Sequence, residues 1–341
     1  MPWNGGDQSL HKKTTADEVL DLLRTAYAHH QSPSAFSEFV RATRRLPIAN
    51  LDYWERQCSY EAYFATRPRR VLGFNLRSKY EKQVLLPWVD SCSGNGYTRE
   101  RAVSALKKGA PSSFLFALVL RRLNDWVPEV RAAARKRIPQ IANETNPAYV
   151  LETLWSVLPH LHTWQRLQSE DKAVIAEIID KEEMLSRLSE KIIMTTAGPV
   201  PAVMSQAGRA PNFDRFWLDI STSAIQPAVR AKAYRSQLDG YVTWIESYQW
   251  VWIEESWNRN RHAPTPVLGK RKIQTFRPFL ESLKAAATDK SALVRRVAGD
   301  ALFSHDEGLC DDMVPIAQML ANDPSSSVAE RGQFALKRIG K

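Results

Sequence analysis

The chain has 341 residues, of which 44% are hydrophobic and 25% charged, so it belongs with folded globular proteins and a disordered or fibrous chain is excluded. Forty-seven basic against 37 acidic side chains leave a formal charge of +10, enough to attract nucleic acid, anionic lipid or an acidic protein, and also compatible with plain solubility. No stretch approaches the roughly 18 apolar residues of a membrane span, the first residues lack the apolar core of a signal peptide, and Cys58, Cys92 and Cys310 form no C-x-x-C pair; a cytoplasmic chain with no disulfide framework and no metal site is expected.

Helical spacing begins with Val19, Leu20, Leu22, Leu23, Ala26 and Tyr27 after Asp17, and no strand-turn-strand pattern stands out anywhere. Pro and Gly fall between such stripes, as at Gln31 to Pro33, Gly109 to Pro111 and Asn143 to Pro147, which predicts short turns between antiparallel helices. Residues 1–85 show helices but no clean repeat and read as an N-terminal cap or divergent region. Near its end lies a basic cluster, Arg67, Arg69, Arg70, Arg77, Lys79 and Lys82, interleaved with Phe74 and Tyr80. Guanidinium forks suit phosphate oxygens and aromatic rings suit exposed bases, so this run is a candidate nucleic-acid or partner contact as well as a candidate solvated helix entrance.

From residue 86 a repeat becomes visible. In DWVPEVRAAARKRI, Val130, Ala134 and Ile138 lie four apart, with Arg131 directly after the first. TDKSALVRRVAGDAL repeats the frame as Val294, Arg295, Ala298 and Leu302. GYTRERAVSAL fits it as Thr98, Arg99, Ala102 and Leu106; a weaker copy is Val229, Arg230, Ala233 and Leu238. The last copy, Val328, Gly332 and Leu336, has Ala329 where arginine stands elsewhere. Asp125, Asp289 and Asp323 each stand five residues before the first apolar position. The copies start at 98, 130, 229, 294 and 328, spaced 32, 99, 65 and 34 apart, close to one, three, two and one multiples of about 33.

The frame D-x-x-x-x-V-R-x-x-A-x-x-x-[LI] resembles the second helix of a HEAT repeat. That resemblance implies an all-α fold, an α-solenoid of antiparallel helical hairpins, in which Asp125, Arg131, Asp289, Arg295 and Asp323 form a structural ladder between neighbouring repeats. An Asp at such a place also caps free N–H groups at a helix start. Repeats are expected over 86–194 and again over 213–341, separated by a Gly- and Pro-containing loop or hinge, Thr195 to Asn212.

Two segments in the C-terminal half stand apart. Residues 241–257 hold Trp244, Trp250, Trp252 and Trp257 with Tyr241 and Tyr248; read at helical spacing, Trp244, Tyr248 and Trp252 share one face, which predicts a largely apolar helix, either core or an aromatic wall. Residues 259–272 contain Arg259, Arg261, Lys270, Arg271 and Lys272 with no acidic residue and several prolines, which predicts an exposed basic loop suited to binding. In the repeat region Arg135 and Lys136 point away from the Val130, Ala134 and Ile138 seam and are candidate contacts as well.

Signatures for nucleotide cofactors, serine hydrolases and zinc hydrolases are missing, a lone S-x-x-K at Ser104 and Lys107 falls inside a repeat helix, and His160 and His162 point to different faces. No cofactor is expected. The leading expectation is a binding scaffold for a macromolecular partner, nucleic acid ahead of acidic protein. Bacterial alkylpurine DNA glycosylases are similar in architecture and residue types, which implies an alternative: Asp90 beside Trp88, or Asp125 beside Trp126, as the carboxylate of an enzyme releasing alkylated bases. A subunit of a protein complex with no nucleic-acid contact is the third reading.

Overall fold

The computed structural model describes residues 18, 20–22, 24–25, 33–44, 46–66, 86–256, 259–304 and 311–338. These residues are mostly helical, with one two-stranded antiparallel sheet. They form two compact units, residues 1–157 with 164–178, and residues 158–163 with 179–341.

The first unit contains α1 (Pro33–Thr43), α2 (Leu51–Thr66), α3 (Leu86–Asp90), α4 (Gly96–Ala105), α5 (Ser113–Leu120), α6 (Pro128–Glu144), α7 (Pro147–Val157) and most of α8 (Ser169–Ile179). The sequence SFLFALVL of α5 is apolar all round after its serine, and every one of its residues is buried; Ser112 caps it by accepting from the Leu115 N–H at 3.3 Å. Pro128 sits in the first turn of α6, where no N–H is needed, and Val130, Ala134 and Ile138 form its buried face. α4 packs on α6, and α5 packs on α7. Each large aliphatic side chain buried this way stabilises the unit by about 1.5–3 kcal/mol.

The second unit contains α9 (Glu182–Met194), α10 (Val200–Ala207), α11 (Trp217–Ser223), α12 (Pro227–Asp239), β1 (Tyr241–Ser256), β2 (Arg259–Lys272), α13 (Phe279–Ala287), α14 (Ala292–Ser304), α15 (Val314–Ala321) and α16 (Ser326–Arg338). α12 packs on α14 and α14 on α16, while α13 and α15 each pair with the helix that follows. Leu283, Val294, Ala298, Leu302, Ala317, Leu320 and Val328 form one core among them. The expected loop from Thr195 to Asn212 is only partly a loop, because Val200–Ala207 is helical and largely buried.

A single hydrogen-bonding pattern recurs in both units. Arg99 forks onto Asp125 with both contacts at 2.8 Å, Arg230 onto Asp289 at 2.8 and 2.9 Å, and Arg295 onto Asp323 at 2.6 and 2.9 Å. Each of these arginines also donates to the backbone carbonyl six residues before it: Ser93, Ala224 and Asp289. Arg131 does the same to the Asp125 carbonyl at 2.8 Å. The carboxylates also accept from the N–H groups of Val127, Ser291 and Ser325, the residues that lead into the next helix. Each Asp thus links two helices at once, through a bidentate charged contact and through a hydrogen bond from the turn that leads into the next helix.

The rungs revise the spacing read from the sequence. Arg99 and Asp125 are 26 residues apart, Arg295 and Asp323 28 apart, but Arg230 and Asp289 are 59 apart. The excess is close to the 32 residues of the β1–β2 segment, Tyr241 to Lys272. The interval of 65 from Val229 to Val294 therefore contains one repeat step and an inserted ribbon, not two steps.

Candidate nucleic-acid interface

The inserted ribbon starts from a sequence that favours strands. Tyr, Val, Thr, Trp and Ile dominate the start of YVTWIESYQWVWI, and branched or aromatic side chains of this kind suit a pleated surface better than a helix. Gly240, with φ of 72°, makes the left-handed turn out of α12, and the Ile273 N–H closes the base by donating to the Gly240 carbonyl at 3.0 Å. The ladder runs from Tyr241 opposite Lys272 to Ser256 opposite Arg259. At about 3.3 Å per residue, fourteen residues of β2 make a ribbon roughly 45 Å long. The expected aromatic helix and basic loop are thus the two strands of one hairpin.

The base of the ribbon is held by buried polar contacts. Arg271 donates to both Asp214 oxygens at 2.6 and 3.0 Å, and to the carbonyls of Gly208 and Ala210. Asp214 also accepts from the Trp217 indole N–H and from the Gln274 N–H. Arg271 is therefore an anchor of the ribbon rather than the free contact residue expected of it. Val242 is fully buried, and a Cβ on Gly208 would stand 2.8 Å from the Trp217 ring and 3.1 Å from Val242, so glycine is what lets the ribbon seat there.

A register shift between Ile245 and Ser247 controls which aromatic groups face outward. Glu246 is the extra residue, and one extra residue flips every side chain beyond it to the other face. Trp244 pairs with Gly269, where a Cβ would come within 2.4 Å of its ring; its indole N–H donates to Glu246 at 2.6 Å, and Arg209 lies over its ring at 4.8 Å. Beyond the bulge, Tyr248, Trp250 and Trp252 take the opposite face, across from Pro266, Pro264 and His262. Helical spacing places Trp244 on one face with Tyr248 and Trp252; in the ribbon the bulge separates them.

That outer face is open. Trp250 is 63% and Trp252 71% exposed, with His262 between them at centroid distances of 5.1 and 5.0 Å, the Trp252 ring lying only 25° from parallel. Towards the base, Lys270 reaches over Tyr241 at 5.7 Å, and Lys272 is exposed. Pro264 and Pro266 occupy alternate positions while pairing with β1 continues through both, so their missing donors lie on the free edge and a further strand cannot add there. Side chains of residues 253–261, Arg259 and Arg261 among them, are outside the described residues.

The other expected contact residues fall in different settings. Arg67, Arg69, Arg70, Arg77 and Lys79 lie outside the described residues. Arg135 is not a free cation: it donates to Asp171 at 2.7 Å, and the same carboxylate lies 3.9 Å from Arg131 and caps α8 through the Gln168 N–H. Lys136 is exposed on α6.

In the first unit, a recess of about 280 Å³ is lined by Arg56, Arg99, Arg121, Arg122, Trp126 and Arg166, together with Asp125 and Glu55. Asp125 and Trp126 thus share a cavity, but the Asp125 carboxylate is saturated. One oxygen accepts from Arg99 and the Val127 N–H, the other from Arg99 and Arg122. These four contacts fill the four lone-pair positions of a carboxylate. Burial by itself pushes its pKa up, but these donors outweigh burial and hold it below the usual carboxylate range. Such a group caps and bridges; it has no lone pair left for a cationic sugar. Asp90 and Trp88 are buried within α3. Among the described residues no group of His, Cys, Asp and Glu is arranged to hold a metal.

Comparison with protein-family models and with curated proteins finds no match for this chain.

Proposed function

We propose that this chain is a HEAT-like α-solenoid scaffold that holds nucleic acid through basic surfaces. The observation that carries the reading is the inserted ribbon, Tyr241 to Lys272, which lies between Arg230 and its partner Asp289 and leaves aromatic rings and lysines on an open face. A ribbon of this length adds little to the core beyond its base. Two isolated strands are marginal by themselves in water, and tryptophans left 63% and 71% exposed forgo the burial that would stabilise them. Binding is the reason that accounts for both.

The ladder supports the scaffold half of the reading, since within each unit it ties helices to one another through the same bidentate contact. Lys136, Lys270 and Lys272 are exposed, whereas Arg99, Arg230, Arg271 and Arg295 are consumed by carboxylates. The net +10 adds a long-range attraction for polyanions. The test is fluorescence anisotropy of labelled single-stranded and duplex DNA at about 50 mM and about 200 mM salt. Affinity falling steeply between the two supports the reading, because each neutralised phosphate releases counterions. No affinity at the lower salt would leave a protein-assembly subunit as the function.

A further inference from the structure

We infer that the outer face of the ribbon takes unpaired bases, so that the preferred ligand is a single-stranded polynucleotide rather than a duplex. The inference rests on the nucleic-acid reading above and assigns the part of the ligand that reaches Trp250, His262 and Trp252. Three features carry it.

The rings present their flat faces. Trp252 and His262, opposite each other in the ladder, are close to parallel with centroids 5.0 Å apart, and Trp250 meets the same His262 ring at 5.1 Å, tilted by 41°. The outer faces of the two tryptophans remain open to solvent. A base has a face to stack on such a ring only when it has left its own helix; in a duplex both faces of every internal base are covered and only edges and phosphates are offered.

The charge on the same face fits. Lys270 and Lys272 lie towards the base of the ribbon, and no carboxylate stands among the described side chains of this face. Glu246 sits at the bulge, spent on the Trp244 indole and on Arg209, 3.4 Å away. A strand whose bases pass over the rings can place phosphates near the lysine ammonium groups. Addition of a further strand at the β2 edge is blocked by Pro264 and Pro266.

The stack is also held in place before any ligand arrives. Trp250 and Trp252 are separated by two residues on a strand, about 6.7 Å, and the His262 ring on the facing strand touches both. Little side-chain freedom is lost when a base joins such a stack.

The test is a competition series on the full chain, with a labelled DNA of about 15 nucleotides, free or annealed to its complement, and the variants Trp252→Ala, Trp252→Phe and Trp250→Ala. The inference predicts tighter binding of the single strand, a loss on the order of tenfold for each alanine variant on the single strand only, and recovery of most of it with Trp252→Phe, at unchanged melting temperature. Equal affinity for both forms, with the alanine variants binding normally, overturns the inference and leaves the nucleic-acid reading standing. Absence of binding to either form at low salt removes that reading and the inference with it. A dimer in solution that dissociates on Trp252→Ala assigns the face to self-association and also overturns the inference.

Discussion

Arg230 and Asp289 meet through a two-pronged contact at 2.8 and 2.9 Å although 59 residues separate them, while Arg295 and Asp323 make the same contact across 28. The geometry of the rung is the same in both, so the chain between them is free to differ. Between Arg230 and Asp289 stands the ribbon, Tyr241 to Lys272; no strand lies among the described residues between Arg295 and Asp323.

Excision follows from this. The Ile273 N–H lies 3.0 Å from the Gly240 carbonyl, so the ends of the ribbon are already adjacent. Joining Gly240 to Ile273 is expected to preserve the helical circular dichroism and the cooperativity of unfolding. Losing the burial of Val242 and the Arg271 contact to Asp214 lowers the melting temperature by roughly 5–10 °C. Loss of helical signal on excision would mean that the ribbon is part of the frame.

The ladder gives the protein an acid-sensitive element. The Arg295 fork holds Asp323 below the ordinary carboxylate range, and at Asp289 the Arg230 fork overcomes the opposing effect of burial to do the same. A carboxyl depressed in the folded state contributes stability that is present above its unfolded value of about 3.9 and is lost as pH falls through the folded value. Asp239, pushed up by burial, works in the opposite sense but stands outside the rungs. The melting temperature is therefore expected to fall as pH drops below about 4, and Asp323→Asn to be less stable at neutral pH with a shallower acid dependence. An unchanged acid profile in that variant would show that the rung does not contribute.

Asp125→Asn separates a structural carboxylate from a catalytic one. Arg99 and Arg122 are almost fully buried; Arg99 balances its charge on Asp125, and Arg122 on Asp125 together with Glu55. Removing the Asp125 charge is expected to cost about 3–5 kcal/mol, read as a lower denaturation midpoint. A variant that keeps its midpoint while abolishing release of methylated bases from treated DNA would restore the glycosylase alternative.

Gly332→Ala sets two effects of opposite sign against each other. Helix propensity favours alanine by about 1 kcal/mol. The added Cβ, however, would stand 2.2 Å from the Ala321 backbone nitrogen, which has no flexible end to move aside. Overpacking of this kind costs about 1–3 kcal/mol, so the melting temperature is expected to drop. A rise would show that α15 and α16 have room to separate.

Much of the helical frame could be read from the sequence, because its signal is local and repeated: Arg after the first apolar position, Asp five before it. Val130, Val294 and Val328 are all fully buried, as the shared frame requires. The ribbon was hidden for two physical reasons. Trp244, Tyr248 and Trp252 are spaced by four, which satisfies a helix nearly as well as a strand, and the bulge at Glu246 breaks the alternation that would have marked β1. The signal that favoured strands was composition, with Val, Thr, Ile, Tyr and Trp clustered opposite a segment with prolines at alternate positions. Which arginines are free was not legible at all: Arg271 and Arg135 look like Lys270 and Lys136 in sequence, and only the distance to Asp214 or Asp171 tells them apart.

Whether exposed cations of the ribbon hold nucleic acid is read from the slope of log affinity against log salt for the full chain and for the Lys270→Ala, Lys272→Ala double variant. The double variant is expected to bind more weakly, with a slope smaller in magnitude by about one per lysine removed. An identical slope and affinity in the two proteins would contradict it.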